Sequence, residues 1–223
     1  MNRVSTGITR LDKLTGGGFP KETVILLSGG AGTGKTLLGL NFLLEGAKKG
    51  EKCCYVSLSE TQDELLRAAK GIKSLNDIKK YLGKNLVIEH IPLGENITLK
   101  KFVEIIGMYP KIDRLVIDNV NKLLIFAENK NLYRVYLTEL VNHLKEMGST
   151  LLICETKEEQ IDSGNNEAFE CDGVINLSFL DLEEKPTRTL QITKMRYTIF
   201  EPRIRHELII NEKGIALKET KII

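Results

Sequence analysis

Eight consecutive residues, Gly29-Gly30-Ala31-Gly32-Thr33-Gly34-Lys35-Thr36, constrain this chain more than any other feature. They match the pattern G-x-x-x-x-G-K-[ST]. The residues before them, Thr23 to Ser28, form a short apolar run that reads as a buried strand. The residues after them, Leu37 to Ala47, are apolar on nearly every face and read as a helix pressed against a sheet. Strand, glycine-rich loop and helix in that order is the setting in which such a loop wraps a phosphate chain. Phosphates need many backbone N–H groups aimed at one spot. Only a loop with little side-chain bulk comes that close, and glycine also permits the unusual φ values. The helix beginning near Thr36 adds its positive dipole end and its free N–H groups. On this reading Gly29, Gly30, Ala31, Gly32, Thr33, Gly34, Lys35, Thr36 and Leu37 hold the nucleotide. Lys35 sets its charge on the β- and γ-phosphates, and Thr36 offers its hydroxyl to Mg²⁺.

The rest of the chain fits the same architecture. Strands are expected at Lys52–Leu58, Leu86–Ile91, Arg114–Asp118 and Thr150–Cys154, with helices between them. Thr61-x-x-Glu64 is a capping-box signature that opens a helix running toward Lys70. A further helical stretch is expected over Leu75–Leu82, and another over Leu99–Met108, stopped by Pro110. The apolar spacing of Leu132–Met147 predicts a long amphipathic helix capped by Gly148. From Gly173 onward strands follow one another without helices: Val174–Phe179, Thr187–Met195, Pro202–Ile210 and Ile215–Leu217. The expected fold class is therefore α/β, a mainly parallel sheet carrying C-terminal antiparallel strands. No linker or composition shift divides residues 1–223, so a single domain is expected.

Two carboxylates complete the candidate site. Arg114-Leu115-Val116-Ile117-Asp118 is an apolar strand ending in an acid. In an open α/β sheet that end lies beside the phosphate loop, where Asp118 would share Mg²⁺ with Thr36. Hydrolysis also needs a group to orient or deprotonate water. Glu60 follows the Tyr55–Leu58 strand, whose end would face the γ-phosphate.

Composition excludes several classes. Lys and Arg number 32 against 30 Asp and Glu, so net charge gives no global case for nucleic acid or an anionic membrane. No apolar run approaches the roughly 18 residues of a membrane span, and no signal-peptide pattern opens the chain. A cytoplasmic protein is expected. Cys53, Cys54, Cys154 and Cys171 form no C-x-x-C pair and read as small core residues. The histidines match no metal spacing, and Ser57 and Ser59 have no neighbouring histidine to activate them.

Taken together, these residues resemble the KaiC-like branch of the RecA superfamily of ATPases. The resemblance spans nearly the whole chain. It includes Ser5-Thr6-Gly7-Ile8-Thr9-Arg10-Leu11-Asp12, Gly16-Gly17-Gly18-Phe19-Pro20, the phosphate loop, the Tyr55–Glu60 and Asp118 strands, Asp172-Gly173-Val174-Ile175 and Lys194-Met195-Arg196. It implies a RecA-like P-loop core, ATP with Mg²⁺ as ligand, and assembly into rings, with a hexamer favoured. ATP is implied over GTP by the resemblance alone. It also implies that Lys194 and Arg196 reach the γ-phosphate held by the adjacent copy, where an added cation stabilises the transferring phosphoryl group. Three departures stand out. Ser59-Glu60 replaces a pair of acids common in relatives, Tyr197 follows Arg196 where a small residue is usual, and Ser163-Gly164 lacks an autokinase motif.

Two other functions stay open at this level. Ser59 in place of an acid fits a non-hydrolysing, ATP-gated scaffold that regulates a protein partner. The segment from Lys185 to Ile223 carries nine cations against four carboxylates, which fits a DNA-repair accessory. The loop from Lys157 to Asp172 argues the other way, with one lysine against Glu158, Glu159, Asp162, Glu167, Glu170 and Asp172. Nucleic acid is therefore not the favoured partner.

Overall fold

Every residue of β3, from Val24 to Gly29, is buried, and the fold is assembled around that strand. The computed structural model describes residues 2–92, 99–157, 160–182 and 185–222. A short N-terminal sheet pairs β1 (Arg3–Val4) with β2 (Phe19–Pro20) around helix α1 (Thr9–Leu14). After β3 come α2 (Lys35–Lys48), β4 (Cys53–Ser57) and α3 (Gln62–Ala69). Next are α4 (Ile78–Tyr81), β5 (Leu86–His90), α5 (Leu99–Gly107), β6 (Arg114–Asp118) and α6 (Lys130–Met147). The chain closes with β7 (Ser149–Glu155), α7 (Glu167–Glu170), β8 (Gly173–Leu182), β9 (Lys185–Met195), β10 (Arg205–Asn211) and β11 (Gly214–Ile222).

Nine of these strands form one sheet in the order β11-β10-β9-β8-β3-β7-β6-β4-β5. From β8 to β5 all neighbours are parallel, and β9, β10 and β11 continue antiparallel. The expected α/β class, with its parallel centre and antiparallel C-terminal strands, is the observed one. A parallel strand buried on both faces needs apolar side chains on both sides. β3 meets that need by alternation. Ile25 and Leu27 join the core under α2, and Val24 and Leu26 join the core under α5 and α6.

Local chemistry sets most boundaries where they were expected. Thr61 caps α3, and Glu64 returns the bond to the Thr61 N–H, completing the capping box. Gly148 ends α6. Two expectations are corrected, and one element was not anticipated. The helix over Leu75–Leu82 is a 3₁₀ turn at Lys73–Leu75 followed by the single turn of α4. The strand expected from Pro202 begins at Arg205, because Arg203 sits at φ 64°, outside the extended region. A 3₁₀ helix at Val120–Phe126, which no periodicity marked, follows β6.

One buried ion pair ties the layers together. Arg114 at the start of β6 is 0% exposed. Its guanidinium pairs with Glu51, donates to the carbonyls of Ser5 (2.6 Å) and Phe42 (2.9 Å), and lies 4.7 Å over the Phe42 ring. It thus binds the N-terminal segment, α2 and the sheet at one point. Removing one partner of a buried pair leaves an uncompensated charge. We expect Glu51→Ala to lower the unfolding free energy by about 3 kcal/mol, read from urea denaturation. An unchanged midpoint would show that the pair carries no stability.

Candidate active site

The loop between β3 and α2 takes a conformation that its glycines permit. Gly34, the residue that caps α2, has φ 104°, in the region an L side chain rarely adopts. A Cβ on Gly29 would stand 2.4 Å from the carbonyl oxygen of Leu177 in β8, so the loop leaves the sheet flush against its neighbour. Thr33 Oγ1 donates to the Gly30 carbonyl (2.8 Å), and Lys35 Nζ donates to the same oxygen (2.7 Å). Burial holds the Lys35 ammonium below its ordinary value, against the opposing pull of Glu155 and Asp118. A desolvated cation folded onto a loop carbonyl is well placed to exchange that contact for an anion.

The register of the sheet brings the acids to this loop. Gly29 pairs with Glu155 across β3 and β7, and Ser57 pairs with Asp118 across β4 and β6. Thr36 Oγ1 donates to Asp118 Oδ2 at 2.9 Å. Tyr55 OH donates to the same oxygen at 2.6 Å. Burial raises the Asp118 carboxyl above its ordinary value, and these two hydrogen bonds and Lys35 pull it down. A hydroxyl and a buried carboxylate oxygen in direct contact are hard donors of the kind Mg²⁺ takes. The donor set therefore fits that ion.

Glu60 stands between β4 and the cap of α3. Its turn is fixed by Ser57 Oγ, which accepts from the N–H of Glu60 (2.9 Å) and of Ser59 (3.3 Å). Partial burial, then Asp118 and Glu64, hold its carboxyl above its ordinary value, with Lys122 opposing. Asp118 acting on Glu60 puts the two expected acids in one electrostatic neighbourhood.

Lys194 and Arg196 lie elsewhere. Lys194 pairs with Val174 at the start of β8, the end of the sheet away from the loop. Its ammonium donates to the carbonyls of Ala168 (3.1 Å), Phe169 (3.0 Å) and Cys171 (2.6 Å). Arg196 binds Asp172 at 3.3 Å, where Lys145 also binds at 3.1 Å. Neither residue approaches the phosphate loop of its own chain. Four of the nine cations weighed for nucleic acid, Arg188, Lys194, Arg196 and Lys218, are engaged within the chain. Arg188 Nε donates to the Gly32 carbonyl (3.1 Å), and Lys218 pairs with Glu207 (2.7 Å). In the acidic loop, Glu167 is 0% exposed and bonded to Tyr133 and Ser163. Asp172 is buried under its two cations, and Glu158 and Glu159 lie outside the described residues. The loop therefore presents less negative charge to a partner than its sequence implies.

With this geometry in place, comparison with known proteins gives the family. The model described as "ATPase: KaiC" matches residues 4–222. The chain belongs to the KaiC ATPase family. It is 31% identical over 225 residues to the circadian clock protein KaiC2 of Synechocystis, covering 95% of this chain but 39% of that protein. It is 29% identical to UPF0273 protein PH0284 of Pyrococcus horikoshii, covering 99% of this chain and 96% of that one. The chain thus spans less than half of the clock relative and nearly all of the archaeal one. Among solved structures it matches the KaiC-like protein PH0186 of P. horikoshii at 30% identity with a TM-score of 0.84. That match covers 97% of this chain and 99% of that one. The fold is the KaiC-like RecA type. No helix among the described residues is long and apolar enough to cross a membrane.

Sequence reasoning missed two residues that the structure brings to this candidate site. Tyr55 reads as a core aromatic in an apolar strand, yet its hydroxyl holds Asp118. Its one signal is a polar-tipped side chain one strand turn before Ser57. Arg188 lies 156 positions from Gly32, and only the strand pairing of β8 and β9 brings it to the loop. We expect Tyr55→Phe to leave ATP binding in EDTA within about twofold. We expect it to weaken Mg²⁺-dependent binding at least about tenfold, by the roughly 1.5–3 kcal/mol of one hydrogen bond to a charged group. Titration of Mg²⁺ into the ATP-saturated variant measures this, and an unchanged Mg²⁺ dependence would remove Tyr55 from the site.

Proposed function

We propose that this chain hydrolyses ATP as a ring of identical copies, with each nucleotide held between two neighbours. The observation that carries the reading is the convergence of Lys35, Thr36 and Asp118 at one glycine-lined loop, with the Thr36 hydroxyl on the Asp118 carboxylate at 2.9 Å. The loop amides and the N-terminus of α2 would cradle the β- and γ-phosphates, and Lys35 would leave the Gly30 carbonyl to neutralise them. Thr36 and Asp118 would hold Mg²⁺, which when bound supplies charge neutralisation on the phosphate oxygens. Glu60 would orient the attacking water and take its proton. Its raised carboxyl suits that work better than a carboxylate at its ordinary value, since the base is matched more closely to neutral pH.

Support for the shared site comes from an imbalance. The cations expected at the γ-phosphate, Lys194 and Arg196, sit at the far end of their own sheet, where only another copy's loop could meet them. In that arrangement Lys194 and Arg196 would exchange their present carbonyl and Asp172 contacts for the neighbour's phosphate. A residue supplied in this way is worth roughly 10³–10⁵ in rate where it has been measured.

Two outcomes test this. Lys35→Ala and Arg196→Ala chains, each inactive alone, are expected to recover phosphate release when mixed, because an intact loop then faces an intact Arg196. No recovery in mixed assemblies would place Arg196 outside the site. Second, Glu60 must be ionised to accept a proton. The acid limb of kcat/KM is therefore expected at a higher pH than an ordinary glutamate would give, and absent from the residual rate of Glu60→Gln. Normal phosphate release from Glu60→Gln would remove Glu60 from the mechanism. No Lys35-dependent phosphate release from the wild-type chain would favour a second reading, a non-hydrolysing ATP-gated regulatory scaffold, for which Ser59 beside Glu60 is the motivating observation.

A further inference from the structure

A groove of about 520 Å³ runs along the outer edge of the sheet, at the end of β4 away from Glu60. It lies between β5, the outermost strand, and the C-terminal end of α5 with the turn that follows it. Cys54, Ile105 and Ile112 make its apolar floor. Val87 and Met108, 43% and 82% exposed, stand open on its walls. Apolar groups of that size left in water are unfavourable unless something covers them.

The polar groups of the groove select what that something is. Asn85 lines it, but its amide is already spent on the carbonyls of Ala47 and Glu51, both at 2.9 Å. Tyr109 and Glu89 also line it, and they hydrogen-bond to each other. The Asn85 N–H groups, the Tyr109 hydroxyl and one Glu89 oxygen are thus engaged within the protein. Against the single Glu89 carboxylate, three exposed lysines line the groove, Lys52, Lys84 and Lys111. Lys111 stands 4.0 Å from Glu22, and Lys52 and Lys84 make no ion pair among the described residues. Asp113 is nearby, turned onto the backbone N–H of Lys52 at 2.8 Å. A polar metabolite would find few free hydrogen-bonding partners here. A docked protein would need roughly 800 Å² on each side, whereas this volume falls in the 300–1,000 Å³ range of small-ligand sites, about where an apolar body with one charged end belongs.

We propose that this groove binds a medium-chain carboxylate. Its hydrocarbon tail covers Cys54, Ile105 and Ile112 between Val87 and Met108, and its carboxylate sits among Lys52, Lys84 and Lys111. The site is separate from the phosphate loop, so it stands or falls independently of the nucleotide reading.

The test is calorimetric titration of the full chain with sodium decanoate, below its micelle-forming concentration. A ligand of this size should bind one per chain with Kd about 0.1–1 mM. Decanol should bind roughly tenfold more weakly, and decyltrimethylammonium should give no saturable heat. Val87→Glu and Met108→Glu alter exposed side chains only, so unfolding midpoints should hold while decanoate binding is lost. Lys52→Glu with Lys84→Glu should weaken it at least about tenfold. No saturable decanoate heat, equal binding of the ammonium amphiphile, or unchanged affinity in the folded variants would each overturn the proposal. So would tighter binding of the peptide acetyl-Glu-Leu-Leu-Glu-Leu-amide, lost in the same variants, which would assign the groove to a protein partner.

Discussion

The parallel register of four strands decides where everything else in this protein can be. β4 and β6 end level with each other at Ser57 and Asp118, and β3 and β7 run two residues further to Gly29 and Glu155, so all four ends lie along one edge of the sheet. A parallel ladder slipped by two residues would keep the same faces buried and would separate Asp118 from Thr36. The apolar alternation of β3 and the buried Arg114 pair hold that level from opposite sides. The glycines then let the chain turn at Gly29 and Gly34 without striking Leu177 or Ile210. The geometry of the candidate site is a consequence of strand alignment, with the loop as its most visible product.

The electrostatics of the site follow from that crowding. Lys35, Asp118 and Glu60 are each partly or wholly withdrawn from water, and each is shifted toward its neutral form by burial. A site in that condition has unspent attraction for a polyanion with its metal ion, because both charges of the ligand complete pairs that are incomplete without it. The same logic explains why Tyr55 matters. Its hydroxyl and that of Thr36 fix one oxygen of Asp118 in a low-dielectric surrounding, where a misdirected carboxylate would be poorly compensated.

Much of this was legible in the sequence, for identifiable reasons. The loop, Asp118 and Glu60 are marked by short-range patterns, each set by a few adjacent residues and the end of an apolar run. The capping box at Thr61 and the end of α6 at Gly148 are equally local. What stayed hidden depends on partners far apart in the chain. Tyr55 looks like core until β4 and β6 are seen side by side, and Arg188 meets Gly32 only through β8 and β9. The acidic loop misled for the converse reason: composition counts Glu167 and Asp172 as surface charge, and folding buries both. The break at Arg203 is a backbone event with no marker in the apolar pattern around it.

The account rests on the loop at residues 29–36 holding a nucleoside triphosphate. Calorimetric titration of the folded wild-type chain with ATP in the presence of Mg²⁺ tests that most directly. The account predicts saturable binding of one nucleotide per chain, with inorganic triphosphate competing for the same site. A folded chain that takes up neither ligand would contradict it.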